Sequence, residues 1–512
     1  MHNLEVLLMA RSAVTRLPGA IGMLGKLTRL VATGCKFLKE VCSDIGELSS
    51  LKALQLSVTG IYGLPESIGE LSCLQVLDLL GCDQLQLLPN LPSGLRTLGL
   101  SCQSPTLPIL SNLINLKELS VTGCSALECL PELPSELLML SISECRTLEC
   151  LPQLPSEILK LSITRCQMLR KLPDLSNLKH LSKLMLATCS ELREVKGLEG
   201  LALLTMLDVQ ECPKFPRLDK AECLVSLSCE NQFEIQVLNS FMFLEVLDLT
   251  DCMSMERLNL STLKLLRKAN VRKCKNLVKI SGLENLEYLG RLDISECTSI
   301  KGLDLAKLKY LRYLCISKCK NLSEVQGLDF LEYLEGLDIS GCTSIEMLPD
   351  LSCFKTLISL KINHCEKLRD VQTLEKFPSC RWLYIDGCKS IVKLPNLSKF
   401  EGLVELVVKD CHVLLEIPEL KEMSCLAFID ASRCKSIEYL PDLSLCKNLK
   451  CLVVRDCEKL AGLGDLPNSL WQVDISGCKS LQMISELHGM HVIQNYEEPM
   501  QQFLYDEITF WR

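Results

Sequence analysis

The sequence predicts an α/β solenoid, a horseshoe of about 22 short repeats with a parallel β-sheet on its concave face and irregular or short helical segments on its convex face. Three observations support this prediction. A short leucine-rich unit recurs along almost the whole chain of 512 residues. Inside each unit, apolar and polar residues alternate with the period of a β-strand. Aromatic residues make up only 5% of the chain, which suits a thin, layered core with little room for large rings.

The repeating unit becomes visible when the chain is aligned on its cysteines. One unit reads Leu311-x-x-Leu314-x-Ile316-x-x-Cys319, and the same spacing returns after 23 residues in each of the next two units. We call the cysteine position the slot, and cysteine fills it in 19 repeats. Three further slots hold Ser12, Thr59 and Gln232. A period of about 20 to 29 residues with this leucine spacing is the signature of leucine-rich repeats.

Each repeat should contribute one short parallel strand. Leu314 and Ile316 alternate with more polar positions, in the period-two pattern of a strand that buries one face. After the strand, the slot residue turns the chain inward, and its side chain must satisfy backbone groups that the turn leaves unpaired. Cysteine does this weakly while it fills space as a small apolar residue. The slot cysteines are therefore predicted to point into the core.

Differences in repeat length divide the chain into predicted segments. Repeats of 23 to 24 residues occupy 1–90, and compact repeats occupy 91–212. The shortest of these, from Leu91 to about Leu172, should leave no helix on the convex side. The pattern blurs at 213–243, so an irregular repeat or a hinge is expected there. Regular repeats return at 244–478. Residues 479–512 lose the pattern and are expected to form a C-terminal cap or tail.

Composition and charge argue against several classes of function. The net charge of −8 and the pI of about 5.6 disfavour nucleic acid as a partner, because phosphates need a basic face to displace their counterions. No run of about 18 uncharged apolar residues is present to span a membrane. The first residues show no basic segment followed by an apolar one, so no secretory signal is expected. The 31 cysteines, an odd number, fit reduced thiols and predict a cytoplasmic or nucleocytoplasmic protein.

The cysteines also raise the hypothesis of a metal site. Local pairs occur at Cys124/Cys129, Cys145/Cys150 and Cys315/Cys319. No Cys-x-x-Cys motif occurs, and slot thiols that lie one strand apart and point into a core do not converge on one ion. Nucleophilic catalysis needs a base beside a nucleophile in a pocket, whereas the six histidines fall at surface-type positions or near the ends of the chain. The sequence therefore predicts no enzyme, no metal and no cofactor.

Several phrases of the sequence together resemble one protein family. They are Leu64-Pro65-Glu66-Ser67-Ile68-Gly69-Glu70-Leu71, the Gly81-Cys82 slot and the Leu-Pro-Glu-Leu-Pro-Ser run at 130–135. Over residues 1–480 the chain resembles the leucine-rich-repeat region of plant intracellular disease-resistance proteins, the nucleotide-binding receptors of the Toll/interleukin-receptor class. The resemblance implies a protein ligand, either a pathogen effector or a guarded host protein. It also implies nucleotide-binding and signalling domains as partners, in cis or in trans, which the repeats hold inactive until recognition.

The sequence departs from this family in two respects. The Gly-x-x-x-x-Gly-Lys-Ser/Thr motif of a nucleotide-binding domain is missing, since the nearest candidate, Gly22 to Lys26, is followed by Leu27 where a hydroxyl is required. The chain also opens inside a repeat without an N-terminal cap. We therefore expect a fragment, a truncated product or a partner-dependent piece of a larger receptor.

Two other functions stay open at this point. A generic protein-interaction scaffold without an immune role would have the same fold. A bacterial ubiquitin-ligase effector also carries Leu-Pro-x-Leu-Pro repeats. That enzyme needs a helical catalytic domain after its repeats, and the 34 residues after Cys478 are too few to form one.

Candidate binding residues lie on the outward side of the strands, at six, four and two residues before each slot. Large aromatic and cationic side chains are the usual anchors of protein interfaces, although single exposed ones also occur as ordinary surface variation. The candidates are Lys268, Arg272, Arg291, Tyr313, Lys361, Trp382, Tyr384, Lys409, Phe428 and Arg455. At the middle position, an acidic stripe could steer a basic ligand or could simply keep the sheet soluble. Its members are Asp78, Asp208, Asp248, Asp293, Asp338, Asp430 and Asp474.

Overall fold

The chain folds as a parallel β-solenoid of leucine-rich repeats with about 20 to 22 turns, which confirms the predicted fold class. The computed structural model describes residues 3–86, 88–215, 224–230, 238, 240–348, 351, 354–377, 379–420, 423–481 and 491–492. It divides into two compact units, Met1–Leu244 and Glu245–Arg512. Most of the predicted irregular segment 213–243 and of the predicted tail 479–512 lies outside the described residues.

The first unit contains a parallel sheet whose strands follow one another in chain order. The strands are β1 (Val6–Leu8), β2 (Arg29–Val31), β3 (Ala53–Gln55), β4 (Val76–Leu79), β5 (Thr97–Leu100), β6 (Glu118–Thr122), β7 (Met139–Ser143), β8 (Lys160–Thr164), β9 (Lys183–Ala187), β10 (Met206–Gln210) and β11 (Ser226–Glu230). Each pairs in parallel with the next, and equivalent repeat positions face each other, as Leu54 faces Leu77. The register therefore follows directly from the repeat.

The second unit repeats this arrangement and adds short strands in its return segments, the residues between a slot and the next strand. The main strands are β12 (Val246–Thr250), β14 (Lys268–Asn270), β16 (Arg291–Asp293), β18 (Tyr313–Cys315), β20 (Gly336–Asp338), β21 (Ser359–Lys361), β22 (Trp382–Tyr384), β23 (Glu405–Val407), β24 (Phe428–Asp430), β25 (Cys451–Val453), β26 (Gln472–Asp474) and β27 (His491–Val492). In the return segments, β13 (Arg257–Asn259) pairs with β15 (Lys279–Ser281), and β17 (Gly302–Asp304) pairs with β19 (Glu324–Gln326).

Helical structure in the described residues is limited to single 3₁₀ turns. They are Gly19–Met23, Ser43–Glu47, Glu66–Glu70 and Leu198–Gly200 in the first unit, and Leu283–Asn285, Leu328–Phe330, Gln372–Lys376 and Leu397–Lys399 in the second. No α-helix occurs in the described part of the chain. None of the helices there is long and apolar enough to cross a membrane. The helical component of the fold is thus the short convex turns that the repeat length allows.

Leucine side chains stacked from turn to turn form the core. The central residues of the strands, such as Leu54, Leu77 and Leu314, have no exposed surface. In the second unit a phenylalanine column joins them, with ring centres 6.2 Å apart for Phe354 and Phe377 and 6.1 Å apart for Phe377 and Phe400. The core therefore admits large rings where they occupy equivalent positions of successive turns. The low aromatic content alone did not reveal this column.

The residue before each slot makes the turn that follows the strand, and its backbone is left-handed. Among the described residues, all fourteen non-glycine residues with positive φ stand directly before a slot, Val58 with φ 58° among them. Glycine takes this position in other repeats, for example Gly81 with φ 69°. Because a Cβ atom disfavours this conformation, the fold must hold these fourteen residues in place against their own preference.

The slot side chain closes the turn, as the sequence predicted. Cys342 is fully buried, and its thiol donates to the carbonyl oxygen of Ile316 in the preceding turn at 3.0 Å. The thiol of Cys388 makes the equivalent bond to Ile362 at 2.9 Å. Thr59 also fills a slot, and its hydroxyl donates to the carbonyl of Leu56 at 2.7 Å. The slot predicted at Gln232 lies outside the described residues.

A disulfide joins Cys129 and Cys150, whose Cα atoms are 5.4 Å apart. They hold the same place in neighbouring repeats, and a parallel bridge pairs their backbones. The local pair Cys124/Cys129 considered from the sequence is therefore not formed, because the repeat brings equivalent positions together across turns. Among the described cysteines, this pair departs from the expectation of reduced thiols, and it lies outside the slots. The described slot cysteines are free thiols.

Candidate recognition surface

The outward side of the main strands, which we call the strand face, carries the side chains at six, four and two residues before each slot. On β18 and the residue pair after it, Tyr313, Cys315 and Ser317 are half-buried. Between them, Leu314 and Ile316 are buried. This confirms the alternation predicted from the sequence. All ten candidate anchors lie at outward positions of the second unit.

Three of the candidates form a row across neighbouring strands. Lys268 on β14 faces Arg291 on β16, which faces Tyr313 on β18. The guanidinium carbon of Arg291 lies 4.6 Å from the centre of the Tyr313 ring, a cation–π contact. The hydroxyl of Tyr313 donates to Glu335 at 2.6 Å. Burial, followed by the bond to Glu335, raises the pKa of the Tyr313 hydroxyl, so this tyrosine acts as a fixed donor.

Arg272 lies two positions before its slot and beside this row. Its Nε donates to the hydroxyl of Ser295 at 3.2 Å and lies 3.7 Å from a carboxylate oxygen of Asp293. The basic group predicted from the sequence is therefore held by partners on neighbouring turns. Arg272 itself remains exposed, which keeps its charge accessible to a ligand.

A second cluster of candidates lies on β21 to β24. Lys361 faces Tyr384, with its ammonium 5.5 Å from the ring centre. The hydroxyl of Tyr384 donates to Glu405 at 3.0 Å. In the neighbouring row, Glu405 stands between Trp382 and Phe428 in the strand register. We call Lys361, Trp382, Tyr384, Glu405 and Phe428 the aromatic cluster. Its two large rings flanking a carboxylate match the composition of interface anchors.

Asp386, two residues after Tyr384, lies near two basic side chains. Its carboxylate oxygen lies 3.7 Å from the ammonium of Lys409 and 3.9 Å from Nε2 of His364. Burial raises the pKa of Asp386, and Lys409 and His364 act in the opposite direction. Sequence reasoning found Lys409 but missed Asp386, Glu405 and His364. The outward positions of Asp386 and Glu405 were readable from the repeat, whereas their pairing across turns was not.

The predicted acidic stripe is less uniform than its sequence suggests. Five of its carboxylates accept the backbone N–H of the residue two positions later, at 2.9 to 3.1 Å. They are Asp78, Asp293, Asp338, Asp430 and Asp474. Asp248 instead accepts from Thr250 at 2.7 Å and from Asn270 at 2.9 Å. Asp208 is half-buried on β10. One oxygen of most of these groups therefore serves local structure.

Strand β26 and the residues that follow β25 carry a deeply buried ion pair. Arg455 donates through Nε to Asp474 at 2.5 Å, and Ser476 donates to the same carboxylate at 2.7 Å. Only 2% of the Asp474 side chain is exposed. A carboxylate that is buried and paired in this way orients its neighbours and is not available for long-range steering. In the described residues, no group of three or more metal-ligating side chains converges.

The fold and the strand face define a class, a leucine-rich-repeat solenoid that presents an ordered polar and aromatic surface. In sequence, the chain is partly similar to plant disease-resistance proteins. It is 49% identical over 59 residues to TMV resistance protein N of Nicotiana glutinosa, covering 12% of this chain and 5% of that protein. It is 33% identical over 125 residues to disease resistance-like protein DSC1 of Arabidopsis thaliana, covering 19% of this chain and 10% of that protein.

Among solved structures, the TLR13 chain in a TLR13–ssRNA13 complex is similar with a TM-score of 0.46 and 17% identity. The match covers 92% of this chain and 87% of TLR13. No family model matches the sequence. The chain thus spans no more than a tenth of the plant relatives it matches.

Proposed function

We propose that this chain is the ligand-recognition repeat domain of a plant intracellular immune receptor. The observation that carries the proposal is the aromatic cluster on the strand face of the second unit, where Trp382 and Phe428 flank Glu405. Such anchors dominate the energy of protein interfaces. The partial similarity to two plant resistance proteins supports an immune role. The ligand is a protein, either a pathogen effector or a guarded host protein.

The mechanism is differential binding, without chemistry on the ligand. The repeats also contact the nucleotide-binding and signalling domains, in cis or in trans, and hold them inactive in the cytoplasm. A ligand that binds the strand face better in the released state shifts the population toward that state. The proposed role needs no cofactor, and it assigns no catalytic residue to the chain.

Binding to purified nucleotide-binding and signalling domains of a plant disease-resistance protein tests the proposal. In this proposal the inhibited domains and the ligand compete for the strand face. The full chain should therefore bind at least one of the domains, and Trp382→Ala should weaken that binding at least tenfold, as for an interface anchor. Lys183→Ala is the matched control, because Lys183 is an exposed outward residue on β9 of the first unit. A well-folded chain that binds neither domain would contradict the autoinhibitory part of the proposal.

A generic interaction scaffold without an immune role is the second candidate. This candidate is favoured by the short part of the chain, 12% and 19%, that matches the plant proteins. The two candidates differ in partner. A scaffold would retain Trp382-dependent binding to other proteins while it ignores the nucleotide-binding and signalling domains.

A further inference from the structure

A column of large apolar side chains lies exposed on four consecutive turns of the second unit, in the segment just before each main strand. In each of these turns, two exposed residues stand between two buried leucines, and Glu287 and Tyr288 are one such pair. The second residue of each pair forms the column, with 40%, 51%, 44% and 44% exposed: Leu265, Tyr288, Tyr310 and Tyr333. We call these four residues the tyrosine column.

The backbone keeps the tyrosine column in register. Two residues after it, the N–H of Gly290 donates to the carbonyl of Arg267 at 2.9 Å, and the N–H of Arg312 donates to that of Gly290 at 2.8 Å. Equivalent residues of neighbouring turns therefore lie about one strand spacing, roughly 4.8 Å, apart. The rings of Tyr310 and Tyr333 stack across two turns with their centres 5.8 Å apart. The column is thus a continuous apolar ridge about 14 Å long.

Several turns elsewhere carry a polar side chain at this position. Asn115, His180 and Asn448 hold the equivalent place in their own turns. Single exposed apolar residues are ordinary on a protein surface, whereas contiguous exposed apolar residues mark interaction sites. Four of them on consecutive turns therefore indicate a surface that binds a partner.

The first residue of each exposed pair is charged, and its sign alternates from turn to turn. These residues are Lys264, Glu287, Lys309 and Glu332, and all four are exposed. The ammonium of Lys309 lies 5.8 Å from the centre of the Tyr310 ring, so the charges stand directly beside the tyrosine column. The ion pairs of the described residues include none of these four side chains, although residues nearby, such as Arg312 and Glu335, do pair.

We propose that a second copy of this chain binds this surface, with the two tyrosine columns antiparallel about a two-fold axis. A row of four charges that alternates in sign is complementary to its own reverse. Lys264 then faces Glu332 of the second copy, and Glu287 faces Lys309 of the second copy. Each contact occurs twice, as a two-fold interface requires. A parallel alignment would instead place every charge opposite a like charge.

The two rows of residues have separate roles in this dimer. Tyr288 of each chain lies against Tyr310 of the other, so apolar area is buried beside the axis, where tyrosine is a frequent anchor of protein interfaces. The charges fix the register and exclude the parallel alignment. The two rows supply eight residues a side, fewer than the roughly 20 to 30 of a standard interface. The dimer should therefore be reversible, with a dissociation constant in the micromolar range.

The dimer goes beyond the proposed function and does not depend on it. The tyrosine column lies three residues before Lys268, Arg291 and Tyr313, the first residues of β14, β16 and β18 on the strand face. Pairing of two chains would bring two copies of this row together. A ligand with two matching segments would then bind with avidity.

Charge reversal at the centre of the row tests the proposal in the full chain. In sedimentation equilibrium, the unmodified chain should show a reversible monomer–dimer equilibrium. Glu287→Lys and Lys309→Glu each place two pairs of like charges across the axis, and each should raise the dissociation constant at least tenfold. An equimolar mixture of the two variants restores opposite charges at both places. The mixture should therefore form heterodimers about as tightly as the unmodified chain dimerises.

Lys447→Glu is the matched control, because Lys447 is exposed and holds the same place in a turn outside the tyrosine column. It should leave the dissociation constant unchanged, and circular dichroism checks that each variant is folded. An unmodified chain that stays monomeric throughout the micromolar range would overturn the proposal without any variant. A dimer that neither reversal weakens, or a mixture of the two folded variants that stays monomeric, would overturn it as well.

Discussion

At the scale of single residues, the turn before each slot imposes a backbone conformation that most side chains resist. Val58 is the extreme case, because a β-branched residue is rarely found at φ 58°. Val58→Gly should therefore raise the free energy of unfolding by about 1 kcal/mol. The converse change, Gly81→Val, should lower it by about 1 to 2 kcal/mol, since Gly81 has φ 69° and an added Cβ would lie 3.2 Å from Val58. Urea unfolding measures both, and equal stability of the three proteins would contradict the argument.

The slot thiol is the second feature at this scale. Cys342→Ala removes the bond to the Ile316 carbonyl and leaves a small void, so it should cost about 1 to 2 kcal/mol of unfolding free energy. Cys342→Ser should cost less, because a hydroxyl in the slot can still donate to a backbone carbonyl, as Thr59 does to Leu56 in its own turn. The control is Cys425→Ala at an exposed position. A loss as large for Cys425→Ala as for Cys342→Ala would show that the slot bond contributes nothing.

At the scale of a strand, the outward carboxylates have two roles. They accept backbone hydrogen bonds at the end of the strand, and they lie on the proposed recognition surface. Asp338 accepts the N–H of Ser340 at 2.9 Å, while burial raises the pKa of its carboxyl. A raised pKa in the folded state means that Asp338 favours folding at low pH and loses this contribution as the pH rises through that pKa. At pH 7 the buried negative charge of Asp338 is therefore a cost to the stability of the fold.

Asp338→Asn keeps the acceptor and removes this cost. We expect it to stabilise the fold at pH 7 by on the order of 0.5 kcal/mol and to give no advantage at pH 3. Asp338→Ala removes the acceptor and should destabilise by about 1 kcal/mol at both values. Thermal unfolding at the two pH values distinguishes them. A stabilising effect of Asp338→Asn that is the same at pH 3 and pH 7 would contradict the assigned cause.

Strand position and register were predictable because each depends on one repeat read at a time. The leucine spacing placed Leu314 in the core, and the slot alignment placed Trp382 on the outward side. The pairing of Tyr384 with Glu405 was not predictable, because it joins side chains on different turns whose rotamers depend on packing. The return strands β13 and β15 also carried no signal of their own, since short strands in irregular segments depend on the neighbouring turn for their hydrogen bonds.

At the scale of the whole molecule, the same buried thiol recurs from turn to turn, so small effects accumulate. Burial raises the pKa of many of these cysteines above the ordinary value of 9.0, to about 12 for Cys319, Cys365 and Cys411. Repeat proteins sum such contributions over their turns. The dependence of stability on high pH is therefore a property of the whole array and cannot be assigned to one cysteine.

The sign of this effect follows from linkage. A thiol whose pKa is raised in the folded state stabilises the fold fully below the unfolded pKa and loses this contribution as the pH rises toward the folded pKa. Thermal unfolding midpoints should thus be steady between pH 7 and 8 and fall steeply above pH 9. Above the unfolded pKa, each buried thiol lowers the free energy of unfolding by up to about 1.4 kcal/mol per pH unit. In a variant with Ser at Cys365, Cys388 and Cys411, the free energy of unfolding should fall less steeply with pH, by about 4 kcal/mol per pH unit at pH 10 to 11. Identical pH dependence in the two proteins would mean that these thiols do not cause the loss of stability at high pH.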